Sequence, residues 1–274
     1  MILSKLSFTF AAVISAGIVG AVSLLLLVGA VAAGRFALHS TEIAFVSYRD
    51  LNPDIYLTDL DHNLIYNLTH NEAYDIAPAW SPDGEWIAFA SDRDGRRNIY
   101  IMDHLGGNLR RLTTQGGIYT LPRWSTDGQT LVFLALDENP NGIYSIGLDG
   151  TGLERLNDPE TPNRALTLDL ALEQGSIARA QSPDGSRIAF MTYRDQGWGI
   201  YLSADATRRD ASLLVTTGYP TEAPVWSPDG KHMAYIAQVS GSTDLFIIGV
   251  DDRGEPPIRL TFNRSFESSP AWRP

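Results

Sequence analysis

Cysteine is absent from the 274-residue chain, and basic residues are scarce. Without cysteine the protein has no disulfide, no thiolate metal site, no cysteine nucleophile and no lipid-carrying cysteine. Residues 1–35 hold two basic residues and no acid, so residues 36–274 contain 19 basic and 32 acidic residues, a net charge of −13 (19 − 32). A surface this acidic repels phosphate backbones, and we therefore expect no nucleic-acid partner.

Recognisable catalytic motifs are missing as well. The chain has no Gly-x-Ser-x-Gly nucleophile elbow, no His-Glu-x-x-His pair and no glycine-rich phosphate loop between a strand and a helix. The histidines at positions 62, 70, 104 and 232 are scattered rather than paired at a metal-binding spacing. We expect a protein that is not an enzyme, with no catalytic residues, no bound metal and no cofactor.

The N-terminal region is the longest hydrophobic stretch. No charged residue occurs between Leu6 and Gly34, a run of 29 residues. A membrane-spanning helix needs about 20 apolar residues, whereas the core of a cleaved signal peptide has about 7–15. Residues 1–35 are therefore predicted to form one signal-anchor or transmembrane helix, although small residues at 31–33 leave cleavage open. We expect the remainder to lie on the extracytoplasmic side, periplasmic or extracellular.

The rest of the chain is an internal repeat. Its marker is a Trp-Ser-Pro-Asp-Gly segment that recurs with small changes at intervals of 44, 57, 45 and 46 residues. The five copies begin at Trp80, Trp124, Gln181, Trp226 and Trp272, the last of them truncated. Because a tryptophan at one repeated position is typical of packing between repeats, and Pro-Asp-Gly is typical of a tight turn, we expect structural roles for both.

Each repeat predicts four short strands. After the marker come an apolar triplet such as Ile87-Ala88-Phe89, a second one such as Asn98-Ile99-Tyr100, and a Leu-Thr pair. Four strands in about 45 residues make one blade of a β-propeller. We predict an all-β fold over residues 42–274: a five-bladed propeller of four-stranded antiparallel blades.

The phase of the repeat predicts how the ring closes. The propeller region begins with Ile43-Ala44-Phe45, which corresponds to the second strand of a blade, and the missing first strand is the segment that ends at Trp272. The C-terminal strand should therefore complete the N-terminal blade and leave no free sheet edge.

Residues 78–113 carry the full pattern Pro-x-Trp-Ser-Pro-Asp-Gly, Ile-Ala-Phe, Arg-Asp-Gly, Ile-Tyr and Leu-Thr. This resembles the WD40-like propeller repeat of the TolB family, and the similarity extends over about residues 42–272. The repeat itself is not specific for a function, so it is the absence of catalytic motifs that predicts a recognition module or scaffold with a protein or peptide partner. Three departures leave that partner undetermined: no N-terminal α/β domain, an expected membrane anchor, and five repeats instead of six.

The segments that enter each first strand should lie at the mouth of the central channel. The candidate binding residues there are Tyr74, Asp75, Tyr119, Arg123, Tyr219, Glu222, Phe266 and Glu267. Aromatic and acidic side chains together suit a basic peptide segment or a sugar. On this hypothesis, replacing Asp75, Glu222 and Glu267 together abolishes binding without changing the melting temperature.

Two alternatives to a monomeric protein-binding module stay open. Acids near the channel could serve a carbohydrate-binding or glycoside-hydrolysing propeller, which would need two carboxylates about 5–10 Å apart. The ring could also be a structural spacer. The fourth repeat is the exception in the series, because Arg179 and Gln181 replace the usual Pro and Trp and about a dozen extra residues fall within 157–177.

Overall fold

The computed structural model describes residues 41–115, 117–136, 141–156, 179–194, 197–204, 210–220, 222–251 and 255–274. Those residues form twenty strands, and no helix within them is long and apolar enough to span a bilayer. The anchor predicted for residues 1–35 and the extra segment at 157–177 lie outside the described residues.

The strands form five separate four-stranded antiparallel sheets, as the sequence predicts. Blade 1 contains β1 (Glu42–Ser47), β2 (Asp54–Asp59) and β3 (Leu64–Asn67) together with the last strand of the chain, β20 (Glu267–Trp272). Blade 2 contains β4 (Asp75–Trp80), β5 (Trp86–Ser91), β6 (Asn98–Asp103) and β7 (Arg110–Arg111). Blade 3 contains β8 (Tyr119–Trp124), β9 (Thr130–Ala135), β10 (Gly142–Gly147) and β11 (Glu154–Arg155). Blade 4 contains β12 (Arg179–Gln181), β13 (Ile188–Arg194), β14 (Gly197–Ser203) and β15 (Ser212–Thr216). Blade 5 contains β16 (Val225–Trp226), β17 (His232–Val239), β18 (Ser242–Gly249) and β19 (Ile258–Arg259).

The seam between the two ends of the propeller is formed as predicted. β20 pairs antiparallel with β1, with Trp272 opposite Ile43 and Glu267 opposite Ser47. The first strands of neighbouring blades contact one another between β20 and β4, β4 and β8, β12 and β16, and β16 and β20. The first strand of each blade is therefore the one nearest the axis, and the chain's last strand lies in this inner ring.

The repeated tryptophans join each blade to the one before it. The indole Nε1 of Trp80 donates to the carbonyl oxygen of Ala271 at 3.1 Å, and Trp124 makes the same bond to Ala79 at 2.9 Å. Trp226 likewise bonds the carbonyl oxygen of Ala180 at 3.0 Å. These bonds confirm the predicted structural role.

Among the described residues, blade 4 lacks this link. The side chain of Gln181, which stands in place of the tryptophan, donates to the carbonyl oxygen of Gly185 at 3.2 Å and so stays within its own turn.

The Ser-Pro-Asp-Gly segments form the predicted turns between the first and second strands. In blade 4 the Ser182 hydroxyl donates to Asp184 at 2.6 Å, the Gly185 N–H donates to the Ser182 carbonyl at 2.8 Å, and Gly185 has φ of +72°. The hydrogen bonds from Ser182 and from the backbone and side chain of Ser186 lower the pKa of Asp184 to about 2. Aspartate in this turn is therefore a structural acceptor.

The Leu-Thr pair at the end of the repeat ties the fourth strand to the third. The Thr113 hydroxyl accepts the Ile99 N–H at 3.0 Å and donates to Asn98 at 3.0 Å. Thr69 and Thr261 repeat the arrangement in blades 1 and 5. The bond that each threonine accepts satisfies a backbone N–H that the short fourth strand leaves unpaired.

Candidate partner-binding face

The antiparallel order of the strands gives the ring two different faces. The hairpins between second and third strands share one face with the segments that lead from each blade into the next. Backbone bonds join these elements: the Asp75 N–H donates to the Pro53 carbonyl at 2.8 Å, and the Tyr119 N–H donates to the Arg97 carbonyl at 3.0 Å. We name this the rim face, and the opposite one, which carries the Ser-Pro-Asp-Gly turns, the turn face.

The exposed aromatic side chains of the described residues lie on one face only. Six aromatic residues of the described chain are exposed, with fractional exposures from 43% to 73%. All six lie on rim-face hairpins or blade-to-blade segments: Tyr48, Tyr74, Tyr193, Tyr219, Phe262 and Phe266. The turn face exposes leucines instead, such as Leu64 and Leu105. Exposed aromatics collected on one surface are typical of an interaction site.

Four aromatic residues were predicted for the channel mouth, and the structure divides them. Tyr74, Tyr219 and Phe266 are exposed on the rim face. Tyr119 is fully buried, with its ring edge-on to Phe133 at a centroid distance of 5.3 Å. Tyr119 therefore belongs to the core between blades 2 and 3.

Two of the three predicted acids are buried and bound by arginine. Asp75 is fully buried, and its two oxygens accept bonds from Nη2 of Arg93 at 2.9 and 3.0 Å. Glu267 is 2% exposed and accepts Nη2 of Arg49 at 3.0 Å. Burial raises the pKa of Glu267, and the nearby Arg49 and Asn263 oppose that rise. A lower melting temperature, not an unchanged one, is therefore expected when Asp75 and Glu267 are replaced together.

Each of these arginines is held in the same way, in an arrangement that we call the arginine fork. The guanidinium carbon of Arg93 lies 5.3 Å from the ring centroid of Phe89 and 4.9 Å from that of Tyr100. Its Nε donates to the Ser91 hydroxyl at 2.9 Å, and its Nη2 reaches Asp75. Stacking and three hydrogen bonds, one from Nε and two from Nη2, fix the planar group in one orientation.

The fork of blade 1 has the same parts. Arg49 lies over Phe45 and Tyr56 and donates through Nε to Ser47 at 2.8 Å. Sequence reasoning missed this role of the acids, although a signal was present: Ser-x-Arg-Asp follows the apolar triplet in both blades that have an acid five residues before the tryptophan.

Glu222 and Arg123 lie beside bulges in the inner strands. The Glu222 carboxylate accepts the backbone N–H of Ser269 and also the Ser269 hydroxyl at 3.3 Å, which links blade 5 to β20. Ser269 has φ of +50°, as Leu121 does in β8 with +51°. Arg123 is half-buried and donates from Nη1 to the Pro122 carbonyl at 3.1 Å. The predicted binding roles of these residues stay predictions.

The described residues contain no group of three or more His, Asp or Glu side chains that could hold a metal ion.

Five four-stranded sheets built from one repeat, with the C-terminal strand completing the first of them, define a β-propeller repeat protein. A family model described as the TolB β-propeller domain matches residues 21–165 and 170–274. The chain belongs to the TolB β-propeller family.

The individual relatives are each matched over only part of their own length. The Tol-Pal system protein TolB of Alcanivorax borkumensis is 33% identical over 81 residues, which are 29% of this chain and 18% of that protein. The crystal structure of TolB from Acinetobacter baumannii is 25% identical, with a TM-score of 0.44 over 85% of this chain and 55% of that one. Hydrazine synthase of Kuenenia stuttgartiensis shares the fold at a TM-score of 0.57 and 14% identity, over 85% of this chain and 47% of that one. The chain thus spans about half or less of these proteins.

Proposed function

We propose that the protein is a membrane-anchored, extracytoplasmic propeller that binds a protein or peptide partner through its rim face. The observation that carries this proposal is the confinement of all six exposed aromatics of the described chain to that face. Aromatic side chains contribute most of the binding energy in many protein interfaces because they bury a large area at a small cost in rotamer entropy.

The path of the chain supports an outward-facing rim. β1 starts at Glu42, which pairs with Asp59 at the turn-face end of β2, and the Leu60 N–H donates to the Thr41 carbonyl at 2.9 Å. The described chain therefore enters the propeller at its turn face. With residues 1–35 in the membrane, the rim face points away from the bilayer and is open to a partner.

Membership of the TolB propeller family supports a non-enzymatic, protein-binding function, and we propose that the propeller acts as a monomer. The glycoside-hydrolase alternative has less support. Its best candidate acids, Asp75 and Glu267, are buried and bound by Arg93 and Arg49, so neither presents a free carboxylate to a sugar ring.

Site-specific photo-cross-linking in cells tests the proposal. A photoreactive amino acid is placed at Tyr74, Tyr219 or Phe266 on the rim face, and at Leu64 or Leu105 on the turn face as matched exposed controls. We expect discrete protein adducts from the rim positions alone. Adducts from the turn face alone, or equal adducts from both faces, contradict a rim-face binding site.

A second experiment separates binding from folding. Replacing Tyr74, Tyr219 and Phe266 together by serine should remove the adduct formed from a photoreactive residue at position 48. The melting temperature should change by no more than about 3–6 °C, because exposed side chains contribute within about 0.5 kcal/mol each to stability and about 1 kcal/mol corresponds to 2–4 °C. An adduct that survives this triple substitution shows that these aromatics are not part of the interface.

A further inference from the structure

Blade 4 keeps the arginine fork of blades 1 and 2 but not its acid. Arg194 occupies the position of Arg49 and Arg93, with Thr192 in place of the serine. The guanidinium carbon of Arg194 lies 5.9 Å from the ring centroid of Phe190 and 5.1 Å from that of Tyr201. The aromatic half of the fork is therefore assembled.

At the sequence position of the fork acid, blade 4 has no acid. In blades 1 and 2 the carboxylate stands five residues before the repeated tryptophan, and the corresponding residue before Gln181 is Ser176, which carries no charge. No carboxylate of the described residues forms an ion pair with Arg194, whose side chain is exposed, whereas Arg49 and Arg93 are half-buried against their acids.

We propose that Arg194 is a receptor for a carboxylate of the binding partner, an Asp or Glu side chain in an extended segment. The two closed forks of the same chain show which group fits a guanidinium held in this way. Both take a carboxylate on Nη2, at 2.9–3.0 Å. Because the guanidinium is already oriented by two rings, little rotamer entropy is lost when the carboxylate arrives.

The surroundings of the open fork add an apolar contact. Tyr193, 57% exposed, stands edge-on to Trp198 across the same hairpin, with ring centroids 5.7 Å apart. An acidic residue of the partner bound by Arg194 would place a neighbouring apolar side chain on this pair. The partner segment that fits this site therefore carries an acidic residue next to an apolar one. This inference rests on the rim-face binding function proposed above and specifies the partner's chemistry.

Acetate is the probe that tests the fork without a partner. The side-chain Nε–H signals of arginine are followed by NMR in the full chain in detergent while sodium acetate is added, with sodium chloride as the ionic-strength control. We expect a saturable shift of the Arg194 signal, and no shift of the Arg49 and Arg93 signals, whose forks are closed. The exposed Arg264, which belongs to no fork, reports non-specific binding.

Two results overturn the proposal. The Arg194 signal stays fixed if an acid of the chain itself already closes the fork, and it moves linearly together with that of Arg264 if acetate binds only as a general counter-ion. The Arg194→Lys variant keeps the charge but not the planar fork, so saturable binding of acetate should be lost.

The test is independent of the partner-binding function. Saturable acetate binding at Arg194 without any rim-face adduct would refute the proposed function and leave the carboxylate site in place. Rim-face adducts that persist with undiminished yield in Arg194→Gln would leave the function in place and refute the role of the fork in it.

Discussion

The arginine fork of blade 2 should stabilise the ring far more than its open counterpart in blade 4. Arg93→Gln removes the charged partner of a fully buried carboxylate, since among the described residues the Asp75 side chain then keeps only the bond from Asn71. Breaking a buried ion pair costs about 3–5 kcal/mol. The Arg93 side chain is 17% exposed, so water partly solvates the site and we expect the lower part of that range, about 3 kcal/mol.

Arg194→Gln is the matched control. Both substitutions remove a guanidinium from two aromatic rings, a loss of about 0.5–1 kcal/mol at exposed sites, but only Arg93→Gln strands a carboxylate. For a domain of this size about 1 kcal/mol corresponds to 2–4 °C. The melting temperature should therefore fall by roughly 6–12 °C for Arg93→Gln and by no more than about 4 °C for Arg194→Gln.

Thermal unfolding followed by circular dichroism at neutral pH measures both values under one condition. A double substitution, Arg93→Gln with Asp75→Asn, should recover part of the loss because no buried charge remains unpaired. Equal decreases for Arg93→Gln and Arg194→Gln would refute the reasoning, since the buried carboxylate would then contribute nothing to the difference.

Two further predictions concern the blade interfaces and the turns. Gln181→Trp should raise the melting temperature by restoring an indole that can bond the preceding blade, a gain in stability of about 1 kcal/mol. Trp124→Phe removes such a bond and should lower the stability by at least as much. A destabilised Gln181→Trp variant would mean that the interface of blades 3 and 4 is closed by other contacts. The pKa of Asp184 is lowered to about 2 in the fold, so its contribution to stability is complete above its ordinary pKa near 3.8 and is lost as the pH falls towards 2. Urea midpoints measured between pH 5 and 2 should therefore fall less steeply for Asp184→Asn than for the parent, and parallel curves would contradict this.

The repeat in the sequence predicted the ring because its strand order and phase follow from local patterns. Alternating apolar triplets and Ser-Pro-Asp-Gly turns identify strands directly, and the missing first strand before Ile43 identified the partner of β20. The burial and the contacts of residues in the inner strands could not be predicted in the same way. Tyr119 stands where Asp75 does in blade 2, and both are buried. This position accepts either an aromatic ring packed in the core or an acid paired with arginine.

Some of the rim-face aromatic residues were predicted from the sequence. Tyr74, Tyr219 and Phe266 were found by their place before a first strand, whereas Tyr48 and Tyr193 lie on hairpins that the sequence analysis did not consider. Both precede the fork arginine, in Ser-Tyr-Arg-Asp and Thr-Tyr-Arg-Asp, so a comparison of hairpins between repeats would have found them. Exposure itself depends on how neighbouring blades pack, which no single repeat encodes.

Closure of the ring by the last strand is the claim on which both faces depend. Hydrogen exchange of the β1 amides in a chain lacking residues 268–274 tests it most directly, because this deletion removes β20 beyond Glu267 and leaves β1 paired with β2 alone. We predict that blade 1 unfolds without its inner strand, so that β1 loses its protection and exchanges at rates close to those of an unfolded chain. Protection of β1 equal to that in the parent would contradict closure by β20.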